Sequence, residues 1–396
     1  MSDLTTSGAA GKRAIELDFV RGLAIIMVMG MHFHTVSEGY PVLAWIEYPL
    51  KHFGREGVNL FFTLSGFLVG GLLLRQYAQE GRIDAGRFIV RRIFKIWPAY
   101  YVLILFHVIV GRHPTSTFLV QNLTHLQNYY GSSIAQTWSL AVEEHFYLLL
   151  PALLLLMARW RAGSRAILWT LGLTSVAVLL ARCAAVADGN LEAAAAYTQY
   201  RIDSLLIGVM LACVYWMRPQ SYRALARQRG VLVALVVGLV VWLGWLQPTL
   251  QMEESIGYTV QAIGFGALIV LVLEYSGELR RTVLYRAIAW IGVYSYGIYL
   301  WHSVALAPGD LFIRKAMQTG LPVPVVWAPA LGVQFAIAIA AGYVTTRAVE
   351  FPFLRLREAL FPAGARAQPA EALPNERPAD HPGELPGERP AERPAA

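Results

Sequence analysis

The sequence predicts an all-α, polytopic membrane helical bundle of about ten transmembrane helices, with both termini cytoplasmic. Three observations carry this reading. The 396-residue chain is 56% hydrophobic with only 15% charged side chains, and its mean hydropathy of +0.46 is too high for an ordinary soluble protein. Its apolar runs reach the ~20 residues that cross ~30 Å of hydrocarbon. Lys and Arg gather in alternate connections, 18 on one side against 5 on the other. The side holding Lys12, Arg13, Arg75, Arg82, Arg159, Arg218 and Arg280 is therefore the cytoplasmic one.

Taken in order, the spans cover residues 15–36, 57–75, 93–111, 138–158, 166–187, 200–217, 231–247, 257–275, 287–306 and 325–347. The first follows a polar leader, 1–13, and has no small-residue cleavage site, so it reads as a helix and not as a signal peptide. In the second, "GVNLFFTLSGFLVGG" offers Gly57, Gly66, Gly70 and Gly71, small residues that let helices approach closely. The third follows the basic run "RFIVRRIFK", and the fourth ends in "LLLPALLLLMARW", where Pro151 is expected to kink it. The sixth opens with "YRIDSLLIG" and the ninth closes with "SYGIYLWHS". The membrane domain thus runs from 14 to 358. Residues 363–396, rich in Pro, Glu and Arg, have almost nothing to bury and are expected to be a disordered cytoplasmic tail.

The formal charge of +7 lies in short clusters between apolar runs, a topology signal that excludes a nucleic-acid partner. Cys183 and Cys213, the only two cysteines, both fall inside apolar segments, so neither a disulfide nor a CxxC metal site is expected.

Ionisable groups within hydrocarbon are costly and mark functional sites. Arg21 and His32 are almost three whole helical turns apart and share one face of the first helix, with Asp18 placed to pair with Arg21. His32 falls in the outer half of its span. Glu143 and Glu144 begin an inward span, as do Arg201 and Asp203, while Trp301 and His302 end an outward one. Four helices are thereby expected to deliver polar groups to one level near the outer face, lining a cavity to which Asn59 and Ser65 contribute. On the inner face Arg91, Arg92 and Lys95 form a basic rim suited to a polyanion, since guanidinium pairs well with phosphate.

"ELDFVRGLAIIMVMGMHF", with ten residues between Arg21 and His32, resembles the first-helix signature of the membrane-bound acyltransferase 3 family, which O-acylates carbohydrates and some antibiotics. "GVNLFFTLSGFLVGG", "RRIFKIWPAYY", "TWSLAVEEHFYLLLP", "YRIDSLLIG", "SYGIYLWH" and "EFPFLRL" resemble its later blocks, in family order. Two departures stand out: Lys95 replaces the second Arg of the family's Arg-x-x-Arg pair, and His145 stands where Gln is common. The resemblance implies a multi-pass protein of the bacterial inner (plasma) membrane. It implies a cytosolic acyl-CoA donor, acetyl-CoA by default, with no metal, and a hydroxyl-bearing glycan or macrolide acceptor. His32 would be the general base and Glu143 its orienting partner, meeting it in a low-dielectric cavity. Arg201 with Asp203, and His302, would shape the cavity or polarise the thioester, and Asp18 with Arg21 would guard the donor passage. A proton-coupled secondary transporter is the alternative reading, because intramembrane carboxylates and histidines also build proton relays.

Overall fold

The structure, a computed structural model, describes residues 14–33, 39–111, 116–131, 133–246 and 248–362. The leader, His34, Arg112 and the 363–396 tail lie outside the described residues. Every regular element among them is helical. The first half holds α1 (Ile15–His32), α2 (Pro41–His52), α3 (Glu56–Glu80), α4 (Ala85–Ile109), α5 (Ser116–Leu123), α6 (Trp138–Arg159), α7 (Ser164–Ala187), α8 (Leu191–Ala196) and α9 (Thr198–Met217). The second holds α10 (Pro219–Arg227), α11 (Arg229–Gly244), α12 (Leu250–Met252), α13 (Tyr258–Tyr275), α14 (Val283–Val293), α15 (Ser295–Trp301), α16 (Leu306–Gln318), α17 (Val323–Thr345) and α18 (Phe351–Leu360).

Among the described residues, seven helices are long and apolar enough to cross a membrane, or eight if α10 and α11, bent by 70°, form one span. The chain is a multi-pass membrane protein, but the expected count of ten is not reached on this measure, for two physical reasons. The 18-residue α1 carries Glu16, Asp18 and Arg21, three charges in its whole length. The ninth expected span is broken: Tyr294 leaves helical geometry at φ −103°, ψ 7°, separating the 11-residue α14 from the 7-residue α15.

Local sequence explains the well-formed ends. Asp84 caps α4 by accepting from the Arg87 N–H at 2.9 Å. Gly81, at φ 67°, ends α3 in the left-handed conformation that glycine adopts without a Cβ penalty. Inside, α3 packs along α9, α1 along α14, and α15 against α17. A core of Ile25, Val28 and Met29 from α1, Tyr100 and Leu103 from α4, and Ile298 and Leu300 from α15 surrounds the end where α1 finishes.

The α3–α9 contact is made by glycine. A Cβ on Gly66 would lie 1.9 Å from the Leu205 carbonyl oxygen, and one on Gly208 would lie 2.1 Å from that of Thr63. Neither obstacle is a movable side-chain tip. Gly66→Val is therefore expected to force the two helices apart, at a cost of about 1–3 kcal/mol or more. Thermal unfolding in detergent tests this, and an unchanged Tm would remove the contact from the packing account.

Candidate active site

Two imidazoles meet at one end of the bundle. His32 is the last residue of α1, and its Nδ1 lies 2.8 Å from the Val28 carbonyl oxygen. A carbonyl can only accept, so Nδ1 carries the hydrogen and Nε2 of the neutral ring keeps a free lone pair. His302, fully buried just beyond α15, repeats the arrangement, with Nδ1 2.7 Å from the Tyr299 oxygen. Its Nε2 has no hydrogen-bond partner. The two rings meet edge-on with centroids 4.9 Å apart.

A polar strip leads away from this pair. The Tyr299 ring lies 5.8 Å from that of His302, and its hydroxyl is 2.6 Å from Ser139 Oγ. Ser139, Glu143 and Tyr147 are spaced by four and form one stripe down α6. The Tyr147 hydroxyl donates to Glu143 Oε2 at 3.1 Å, leaving its oxygen to accept from Ser65 Oγ at 2.9 Å. Arg92 comes next, its guanidinium 5.7 Å from the Tyr147 ring centroid. Glu143, Arg21 and Arg357 all lie close enough to act on the Arg92 charge, and Arg21 pairs with Asp18 at 2.5 Å.

Several expected groupings change here. No hydrogen bond or ion pair joins His32 to Glu143 among the described residues; the partner of Glu143 is Tyr147. Glu143 stands one turn, ~6 Å, further along α6 than Ser139, the residue level with Tyr299. Glu144 accepts from Trp97 Nε1 at 3.1 Å. Trp97 is the middle residue of α4, so this carboxylate faces α4.

The basic rim splits in two. Arg91 pairs with Glu358 at 2.9 Å and Lys95 with Glu350 at 3.8 Å, both on the far C-terminal helices, whereas Arg92 turns toward the α6 stripe. Trp301 packs edge-on against Phe106, ring centroids 5.1 Å apart.

Arg201 and Asp203 bond different partners. Asp203 takes a bidentate pair from Arg182, at 2.8 and 2.9 Å, with both side chains fully buried. Arg201 instead bonds Asn59 Oδ1 and lies over Tyr258. Arg182 went unnoticed in the sequence, although it is the sole charge between Arg165 and Asp188. His125 was also missed. It sits at φ 56° in the loop after α5, stacked 5.0 Å from Tyr100 and 5.8 Å from Trp97. Burial, and then the neighbouring His145, push its pKa down to about 4, so it is neutral at ordinary pH.

A domain-wide comparison decides the family. The model of the acyltransferase 3 domain matches residues 15–344, which include the two imidazoles, the α6 stripe and Arg92. The chain belongs to the acyltransferase 3 family. Among its relatives is the peptidoglycan O-acetyltransferase OatA of Listeria monocytogenes, 28% identical over 326 residues, which are 75% of this chain and 50% of that protein. Another, named "Putative peptidoglycan O-acetyltransferase YrhL", is from Bacillus subtilis and is 30% identical over 322 residues, 72% of this chain and 47% of that one. The chain spans about half the length of these curated relatives. No solved structure matches it. The polar strip runs from the two imidazoles at one end to the Arg92 guanidinium at the other.

Proposed function

We propose that this chain is an O-acetyltransferase that moves an acetyl group from cytosolic acetyl-CoA to a hydroxyl of an extracytoplasmic glycan. The observation that carries this reading is the His32 ring, whose Nδ1 is committed to the Val28 carbonyl and whose Nε2 is free. The cytoplasmic end of the strip is the Arg92 end. There Arg92, with Arg21 and Arg357 nearby, receives the phosphates of the donor, and the acyl thioester reaches along the strip toward the imidazoles.

In the transfer the glycan hydroxyl attacks the thioester carbonyl while His32 Nε2 takes its proton. The tetrahedral intermediate collapses with cleavage of the C–S bond, and the departing CoA thiolate recovers the proton from the imidazolium. His302, held neutral-side-in by its own carbonyl bond, packs against His32 and fixes the plane of its ring. Glu143, linked to Tyr147 and Ser65, offsets the Arg92 charge and orients the strip instead of touching the base. The Val28 carbonyl takes over the tautomer-fixing role expected of Glu143. The transporter alternative has no support, because the family is one of acyltransferases.

Incubating the purified full chain with labelled acetyl-CoA and soluble peptidoglycan oligomers tests the reading by the acetyl mass gained on the glycan. Within that assay Arg92→Ala is expected to raise the apparent KM for acetyl-CoA by roughly 10- to 100-fold, the worth of one charged hydrogen bond. The fall in kcat should be much smaller, because the contact exists equally in ground and transition states. An unchanged donor KM would leave Arg92 with a topological role alone.

A further inference from the structure

A second polar cluster lies off the strip, where the first turns of α3, α9 and α13 come together. Arg201 is 2% exposed, bonds Asn59 Oδ1, and has its guanidinium carbon 3.4 Å from the Tyr258 ring centroid and 5.4 Å from that of Trp138. Asn59 donates in turn to Glu56, at 3.0 Å, and to Gln261 Oε1. Four polar atoms of this cluster are buried without a partner: Arg201 Nε and Nη1, Gln261 Nε2 and Glu254 Oε2. Three donors and one acceptor, all on residues at most 5% exposed, are more than a packed helix interface tolerates.

Two further features show that the cluster is built. Glu254 sits in a π-helical turn, Glu253–Gly257, a distortion that recurs at functional sites. Arg55, the most exposed member of the group, covers the cluster by pairing with Glu253 at 3.5 Å and Glu254 at 3.4 Å. An Arg, a carboxamide and a carboxylate beside two large aromatic rings suit a neutral polyhydroxy ring. Hydroxyls of such a ring accept from Arg201 and Gln261 and donate to Glu254, while its C–H face lies on Trp138. Buried polar groups of this kind reject a ligand that cannot pair with them.

We infer that this cluster opens, with Arg55 released from Glu253 and Glu254, into a chamber that binds a non-reacting sugar unit of the glycan acceptor. The inference rests on the O-acetyltransferase reading and adds to it the place where the acceptor is held. Trp138, which walls the chamber, immediately precedes Ser139, which bonds Tyr299 beside His302. A sugar in the chamber therefore leaves the next unit of the same glycan at the imidazole pair.

The experiment uses the full chain with a soluble N-acetylglucosamine tetramer and acetyl-CoA. Gln261→Leu and Glu254→Gln, the latter preserving shape, are each expected to raise the KM for the tetramer at least tenfold and to shift the KM for acetyl-CoA less than twofold. Tetramer binding, followed directly by tryptophan fluorescence without acetyl-CoA, should weaken in step. Unchanged tetramer KM in both variants, with normal transfer by the unaltered chain, overturns the chamber and leaves the transferase reading intact. If the unaltered chain binds the tetramer but transfers no acetyl group, the transferase reading fails, and the chamber stands only if the two variants lose that binding. No binding to the unaltered chain overturns the chamber outright.

Discussion

His32→Ala is expected to slow acetyl transfer by about 10²–10⁴-fold, the usual worth of a positioned general base. The protein should still insert and purify, because the replaced side chain ends a helix and makes its one hydrogen bond to its own α1 carbonyl. His302→Ala should cost less in kcat, since His302 supports the His32 ring at 4.9 Å and does not itself take the proton. Labelled acetyl transfer to peptidoglycan oligomers provides the measurement for both variants. Near-normal turnover in His32→Ala would remove the base assignment, and an equal loss in His302→Ala would move it to the imidazole pair as a whole.

The difference between reading single helices and reading partners explains how much of this was legible beforehand. Hydropathy located α3, α4, α6, α7, α9, α13 and α17 because each must hide a whole apolar surface, and that demand is written in local composition. Charges marked the residues worth attention for a similar reason: Arg21, His32, Glu143, Arg201 and His302 each stand out against an apolar background. What each one touches depends on the rotation and offset of neighbouring helices, and no local pattern encodes those. Ser139 and not Glu143 came to lie beside Tyr299, and a shift of a single turn was enough to exchange a carboxylate for a hydroxyl. The break at Tyr294 was harder to read, since "IGVYSYGIYLW" contains no proline and only Gly292, Ser295 and Gly297 hint at a kink.

The largest stability effect is expected at Arg182. Its guanidinium gives two bonds to Asp203 and further ones to the Ser255 and Tyr200 carbonyls at 2.7 and 2.6 Å, and all of this is fully buried. Asp203 also accepts from Thr259 at 2.6 Å, so α7, α9 and α13 are tied at one point. Arg182→Met removes the cation and leaves the carboxylate buried, which costs about 3–5 kcal/mol where one partner of such a pair is lost. Replacing both charges together, Arg182→Met with Asp203→Leu, should recover much of that loss, because the desolvation of two ions disappears with their attraction. Thermal unfolding in detergent, with the two single variants and the double one, separates the cases. If the double variant is as unstable as the sum of the singles, the hydrogen bonds to Ser255, Tyr200 and Thr259 hold the three helices and the ion pair does not. A catalytic role for Asp203 would show differently, as lost transfer in a double variant whose Tm had returned; the geometry argues against it, because both carboxylate oxygens are already bonded to Arg182 and Thr259 and neither is left for a substrate.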